Sequence, residues 1–419
     1  MDGLHILLLI LLGIFILVVA VLVAILILCK KKLKNQGETK NGNENLGNTC
    51  FFNSVLQALH YTKSFKEALL CLKPLTRDSD NMALTKNVIA LLEKQTIQNE
   101  KHRDELKRVL SAVRRINSQF GGGTQEDSYE LLNTLVGGIS EEMNNNDILF
   151  STDRRLIDVR KMFKGMFIVV YVYDSCTHVE VEFEEFTTLS IPIVDQSEVC
   201  TVIPHYEFQT VTVDSTRSGV ENGLASLTQI EEYENLPCRI CSTGDGLGKS
   251  YRKMLVFQPP PVLIIHINRY QMNDSHHLTK NSKQMSYFKR LDVSQFCSVA
   301  NNTMSKEDLF YELYAVVVHT GEISGGHYYA FVNTTRKHDV QRWERLVRKS
   351  TGDIDTLKRQ AEIILQEKRN IHEMRQERTE EIPEVKPNWY YVSDQTVTPV
   401  SEEDVLSHKD AYILFYEVQ

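Results

Sequence analysis

Two short segments hold the residue types needed for thiol chemistry. Asn45-Leu46-Gly47-Asn48-Thr49-Cys50-Phe51-Phe52-Asn53-Ser54 sets a cysteine at the mouth of an apolar helix. Gly325-Gly326-His327-Tyr328-Tyr329-Ala330 sets a histidine inside a strand, behind two glycines. A thiol attacks a carbonyl only as thiolate, so it needs a base and positive surroundings. Asn48-Thr49 is helix-entry chemistry, and the unpaired amides of that terminus favour negative charge. Asn45 has a side-chain amide that could donate to a developing oxyanion. Gly47 lets the backbone pass close to a substrate, and Gly325 and Gly326 clear room for a long, thin one. Each segment also has an ordinary reading: an inert cysteine beginning a core helix, and a histidine with a satisfied hydrogen bond. A third segment, Trp389-Tyr390-Tyr391-Val392-Ser393-Asp394-Gln395, offers a polar group at a strand end that could hold the second imidazole nitrogen.

These groups sit on a recognisable series of elements. Apolar residues recur at helical spacing from residue 53 to about 136, as in Val55, Leu56, Leu59 and then Phe65, Ala68, Leu69. Gly121-Gly122-Gly123 breaks the run, and the next residues to Asp127 open a new helix with cap-like chemistry. From 166 to 194 the period shortens to two, which predicts strands. Further strands are expected at 262–267, 314–318, 328–332, 389–392 and 411–416. Helices first and strands later predict an α+β enzyme rather than a parallel α/β array. Residues 336–386 interrupt the strand set with a densely charged insert, read as a solvated helical excursion, with partner binding as the alternative.

The chain has 419 residues, 42% hydrophobic and 24% charged, enough for a large core. A net charge of −8 excludes nucleic acid as the obvious partner. Eight thinly spread cysteines predict a reducing compartment rather than a disulfide framework. Residues 6–29 form an uncharged apolar run following a short leader at 1–5. We expect it to span a membrane, with the basic polar linker 30–42 and the catalytic unit 43–418 on the cytosolic side. Gly244-Asp245-Gly246-Leu247-Gly248-Lys249-Ser250 imitates a phosphate loop, but Thr243 stands where its first glycine belongs. A flexible hairpin is expected there.

Five blocks, at 45–57, 125–132, 260–270, 314–330 and 389–397, resemble the ubiquitin-specific protease family of deubiquitinases, in family order. The resemblance implies a papain-like thumb and palm with β-rich fingers that grip ubiquitin. It implies hydrolysis of the isopeptide bond at ubiquitin's C-terminal glycine, with Cys50 as nucleophile, His327 as base and Asn45 supporting the oxyanion. Asp127 would meet the basic ubiquitin tail near Gly325 and Gly326. Two departures stand out. Ser393 occupies the place of the usual Asp, and Cys-His-Ser is the pattern of a mitochondrial outer-membrane member; the outer mitochondrial membrane is therefore expected ahead of the endoplasmic reticulum. The fingers of many members carry paired Cys-x-x-Cys motifs. Here Cys238-Arg239-Ile240-Cys241 is intact, but the other pair retains only Cys176. His178, one residue beyond Thr177, has a tight bite for a substitute. No metal and no other cofactor are expected.

Overall fold

The computed structural model describes residues 41–76, 81–95, 102–146, 158–194, 219–241, 248–272, 276–298, 300–301, 303–322, 325–335, 344–347, 354–368 and 388–418. Five helices form the first half: α1 (Cys50–His60), α2 (Lys63–Thr76), α3 (Ala83–Gln95), α4 (Arg103–Ile116) and α5 (Ser128–Asn145). Helix α4 shows why they form. Leu106, Val109, Leu110 and Val113 make one buried stripe, with Asp104 and Glu105 in the first turn and Arg114 and Arg115 in the last. Helix α1 is buried along its whole length, as a central helix must be.

A four-stranded antiparallel sheet follows, built from β1 (Gly165–Tyr173), β2 (Val179–Phe186), β4 (Ile230–Glu234) and β5 (Lys249–Gln258) in the order β2-β1-β5-β4. Its alternation holds: Ile168 pairs with Phe183, Val170 with Val181 and Val172 with Val179, all on one apolar face. Between its strands lie β3 (Leu189–Pro192) and helix α6 (Gly219–Leu227). The second sheet takes in β3 with β6 (Val262–Asn268), β10 (Phe310–Glu322), β11 (Gly325–Asn333), β12 (Trp389–Ser393), β13 (Thr396–Val400) and β14 (Ala411–Val418). Its order is β13-β12-β11-β10-β14-β6-β3, with β9 (Arg290–Asp292) beside β10. Among the described strands of this sheet, β3 and β6 pair in parallel and the other neighbours antiparallel. A small hairpin, β7 (Tyr270–Met272) and β8 (Leu278–Lys280), stands apart, and α8 (Glu402–Leu406) precedes β14. Helix α1 packs against β11, so the helical half and the large sheet share one core.

Two expectations change. The apolar run at 6–29 lies outside the described residues, and among those described no helix is long and apolar enough to cross a membrane. The single-pass membrane location expected from the sequence is therefore not supported. The charged insert is not simply solvated: its helix α7 (Ile354–Lys368) buries Ala361 and Leu365 against the four-stranded sheet, with Leu357 partly covered. Lys358 Nζ lies 5.3 Å above the Phe183 ring. The rejection of a phosphate loop is a different case: Gly248 runs directly into β5, where a phosphate loop would open a helix. Residues 242–247 lie outside the described part.

Candidate active site

Cys50 is the first residue of α1 and is 5% exposed. The turn before it is left-handed at Gly47 (φ 103°) and Asn48 (φ 51°), which explains the glycine. Asn45 organises that turn. Its Oδ1 accepts from the backbone N of Gly47 at 2.9 Å and of Thr49 at 3.3 Å. Thr49 Oγ1 accepts in turn from Leu46 N at 2.8 Å. Asn48 Nδ2 donates to Gly123 O at 2.9 Å, which ties the turn to the glycine break seen in the sequence.

His327 lies on β11, where it pairs with Thr320 of β10. The imidazole Nε2 is 2.7 Å from Ser393 Oγ, at the end of β12. It is Nε2, not Nδ1, that engages the serine. Asp394 follows in the tight turn to β13 (φ 49°) and faces elsewhere. Its Oδ1 accepts from Asn53 Nδ2 at 2.6 Å and its Oδ2 from Asn45 Nδ2 at 2.9 Å. The hairpin thus serves two segments: Ser393 reaches the imidazole, and Asp394 ties down the Asn45 turn and α1.

Gln125 joins the two halves, and sequence reasoning assigned it no role. Its Nε2 lies 3.2 Å from Cys50 Sγ and donates to Gly326 O at 2.8 Å. Its Oε1 accepts from Gly326 N at 2.8 Å. One amide therefore spans from the thiol to the residue beside His327. Gln125 opens the 125–132 block, but nothing local in the sequence tells which groups its amide would meet. The pairing exists because β12 meets β11 only from Ala330 onward, so other groups must satisfy the amide and carbonyl of Gly326.

The two glycines differ. A side chain at Gly325 would meet open space, in keeping with clearance for a substrate. A Cβ at Gly326 would stand 2.1 Å from Thr320 O and 2.6 Å from His319 Nε2. Gly326 is thus required by the strand packed against it. Asp127 is the N-cap of α5: Oδ1 accepts from Tyr129 N at 2.6 Å and Glu130 N at 3.1 Å. Its Oδ2 accepts from Tyr412 Oη at 2.6 Å. Burial raises its pKa against these bonds. Around it stand groups the sequence did not single out. His266 stacks on Tyr129 at 3.9 Å, and Tyr270 Oη is 3.1 Å from His319 Nδ1. Burial pushes both histidines down to about 4. Arg269, wholly buried, donates to the carbonyls of Ala411, Asn281, Lys283 and Lys409, fixing the backbone beside Tyr412.

Far from this cleft, Cys176, His178, Cys238 and Cys241 bring their ligand atoms within 4.8 Å of one another. The tight Cys176–His178 spacing does not keep the imidazole out, contrary to expectation. Structural zinc takes four such N and S donors, so the residues present fit a metal.

The sequence profile of the ubiquitin carboxyl-terminal hydrolase family matches residues 41–416. "Ubiquitin carboxyl-terminal hydrolase 4" of Arabidopsis thaliana is 24% identical over 332 residues, covering 73% of this chain and 83% of that relative. Among solved structures, a SAGA DUB module bound to monoubiquitin is similar with a TM-score of 0.64 at 16% identity, over 92% of this chain and 70% of that one. The SAGA Ubp8/Sgf11/Sus1/Sgf73 DUB module bound to ubiquitin aldehyde is similar with a TM-score of 0.63 at 17% identity, over the same shares. With a thiol at a helix N-terminus, a histidine held by Ser393 and a profile match across nearly all described residues, the chain belongs to the ubiquitin carboxyl-terminal hydrolase family, the cysteine-protease deubiquitinases.

Proposed function

We propose that this chain hydrolyses the isopeptide bond at the C-terminal glycine of ubiquitin on modified proteins, using Cys50, His327, Ser393 and Asn45, and that within the family it works as a Cys-His-Ser variant. The observation carrying this reading is the 2.7 Å contact between His327 Nε2 and Ser393 Oγ, with Gln125 spanning Cys50 and Gly326. Residues 43–418 serve as the catalytic unit, a reading supported by the profile match over 41–416.

His327 Nδ1 takes the thiol proton, and the thiolate attacks the glycine carbonyl. The carbonyl oxygen gains the electron pair and is met by the Asn45 amide, whose Nδ2 has a second proton beyond the one given to Asp394. The tetrahedral species collapses, the C–N bond breaks, and His327 returns the proton to the leaving lysine amine. Water then hydrolyses the thioester by the same proton route. Ser393 holds the ring orientation, though a neutral hydroxyl lends the imidazolium no charge. The ubiquitin tail enters past Gly325 toward Asp127. Because the Asp127 carboxylate is already bound to Tyr412 and two backbone amides, it acts on the tail through this fixed negative charge.

Reaction of the chain with ubiquitin vinyl sulfone tests the proposal. Cys50→Ala should abolish the adduct. A wild-type chain that binds ubiquitin without forming the adduct, or that cuts unfolded casein but no ubiquitin fusion, would overturn it.

A further inference from the structure

The segment that leads to Asn45 is gripped by buried polar side chains that the catalytic groups themselves do not explain. Residues 41–46 form neither helix nor strand, so no ladder satisfies or holds their backbone. Helix α1 supplies part of the hold. Asn53, Gln57 and His60 stand at i, i+4 and i+7, a polar stripe along a buried helix. Gln57 Nε2 donates to Asn41 O at 3.0 Å, and Asn53 Nδ2 donates to Glu44 O at 3.3 Å. Gly42 meets the turn after Ser393: a Cβ there would stand 2.2 Å from Asp394 O.

Between these backbone contacts lies Asn43, completely buried. Its Oδ1 accepts at 2.7 Å from Nε2 of Gln95, the last residue of α3. His102, the residue before α4, donates from Nε2 to the same oxygen at 2.9 Å. An amide oxygen can only accept, so His102 carries its proton on Nε2. Asn43 Nδ2 has no hydrogen-bond partner among the described residues, so Oδ1 makes the link. Gln95 also bonds His60, which closes α1. The node is thereby tied to the far end of the helix that begins at Cys50. Arg103, next to His102, pairs with Glu44.

We infer that Asn43 is a positioning residue for the reaction: held by Gln95 and His102, it sets where the Asn45 amide stands relative to Cys50, and so whether that amide meets the oxyanion. This role rests on the proposed thiol hydrolysis, with Asn45 at the oxyanion. Asn45 is itself exposed, two residues further on, and depends on the segment before it for its place. Its bond to the oxyanion exists only once the carbonyl has been attacked, so a displaced Asn45 weakens transition-state binding and spares the ground state.

Ubiquitin aldehyde and ubiquitin itself, each binding the full chain, test this. The thiolate forms a C–S bond to the aldehyde carbon and the C=O π pair moves to oxygen, which places an oxyanion in the site. Ubiquitin with its free carboxylate forms no such adduct. Asn43→Ala should weaken the aldehyde complex about tenfold and the ubiquitin complex less than about twofold. Gln95→Leu, which removes one of the two donors to Asn43, should give a smaller split in the same direction. A part in stability alone would leave both affinities of the folded chain intact or lower them together. A folded Asn43→Ala chain with either pattern overturns the inference. If that variant does not fold, Gln95→Leu decides by the same comparison. A wild type that binds ubiquitin aldehyde no tighter than ubiquitin overturns the hydrolase reading itself, and the role of Asn43 with it.

Discussion

At the scale of single residues, the neighbours Ser393 and Asp394 divide work that many family members place on acidic side chains. Ser393 ends β12, whereas Asp394 lies in the left-handed turn that follows. Only Ser393 reaches His327, while Asp394 grips Asn45 and Asn53. Ser393→Ala should therefore lower kcat on a ubiquitin-rhodamine substrate on the order of 100-fold, because a misaligned base loses the near-attack geometry. Asp394→Ala should cost no more than about tenfold, since Asn45 keeps its Oδ1 bonds to the turn. The reverse order would show that the turn, not the ring, limits turnover. The glycines separate at this scale too. Gly326→Ala should lower unfolding free energy by about 3 kcal/mol, because the obstruction is a backbone carbonyl that cannot move aside. Gly325→Ala should leave denaturation unchanged and raise KM, as its space is open.

At the scale of elements, the insert helix α7 leaves the chain between the strand of His327 and the strand of Ser393, then docks on the four-stranded sheet. Ala361 is completely buried there. A carboxylate at that position would have no partner in an apolar contact, a cost of a few kcal/mol. Ala361→Glu should release α7 and increase hydrogen exchange in β2 around Val181 and Phe183, with β10 and β11 unaffected. Unchanged protection in β2 would mean that the helix does not cover the sheet in solution. The same reasoning explains why periodicity alone read the insert as solvated: Leu357, Ala361 and Leu365 make a narrow stripe within a highly charged stretch, and only the partner surface shows that it is used.

At the scale of the whole molecule, the buried histidines couple folding to pH. His266 and His319 are held neutral with pKa values of about 4, below the ordinary 6.5 that they regain on unfolding. A depressed folded-state value leaves full stability above pH 6.5 and removes it as pH falls from 6.5 toward 4, where the unfolded chain binds more protons. Urea midpoints should fall across that window, and a His266→Gln, His319→Gln double variant should flatten the slope. Asp127 works in the opposite sense. Its raised value means that stability is lost as pH rises from the ordinary carboxyl value of 3.8 through the raised one.

Much was legible before the fold. Cys50, His327 and Ser393 stand in motifs whose local chemistry is complete: a helix entry, a glycine-preceded strand and a strand end. Helical and alternating periodicities also marked most elements, because each must bury one face. Other features depend on the meeting of distant segments. Gln125 gained its place only when β11 presented an unpaired backbone edge to it. The nitrogen chosen by Ser393, the distinct duties of Gly325 and Gly326, and the convergence of His178 on three cysteines are set by strand register and loop proximity. Sequence determined which groups are present and which way each element presents them. Tertiary structure decided which groups meet, because hydrogen bonds and metal-ligand geometries act over a few ångströms in space, whatever the separation along the chain.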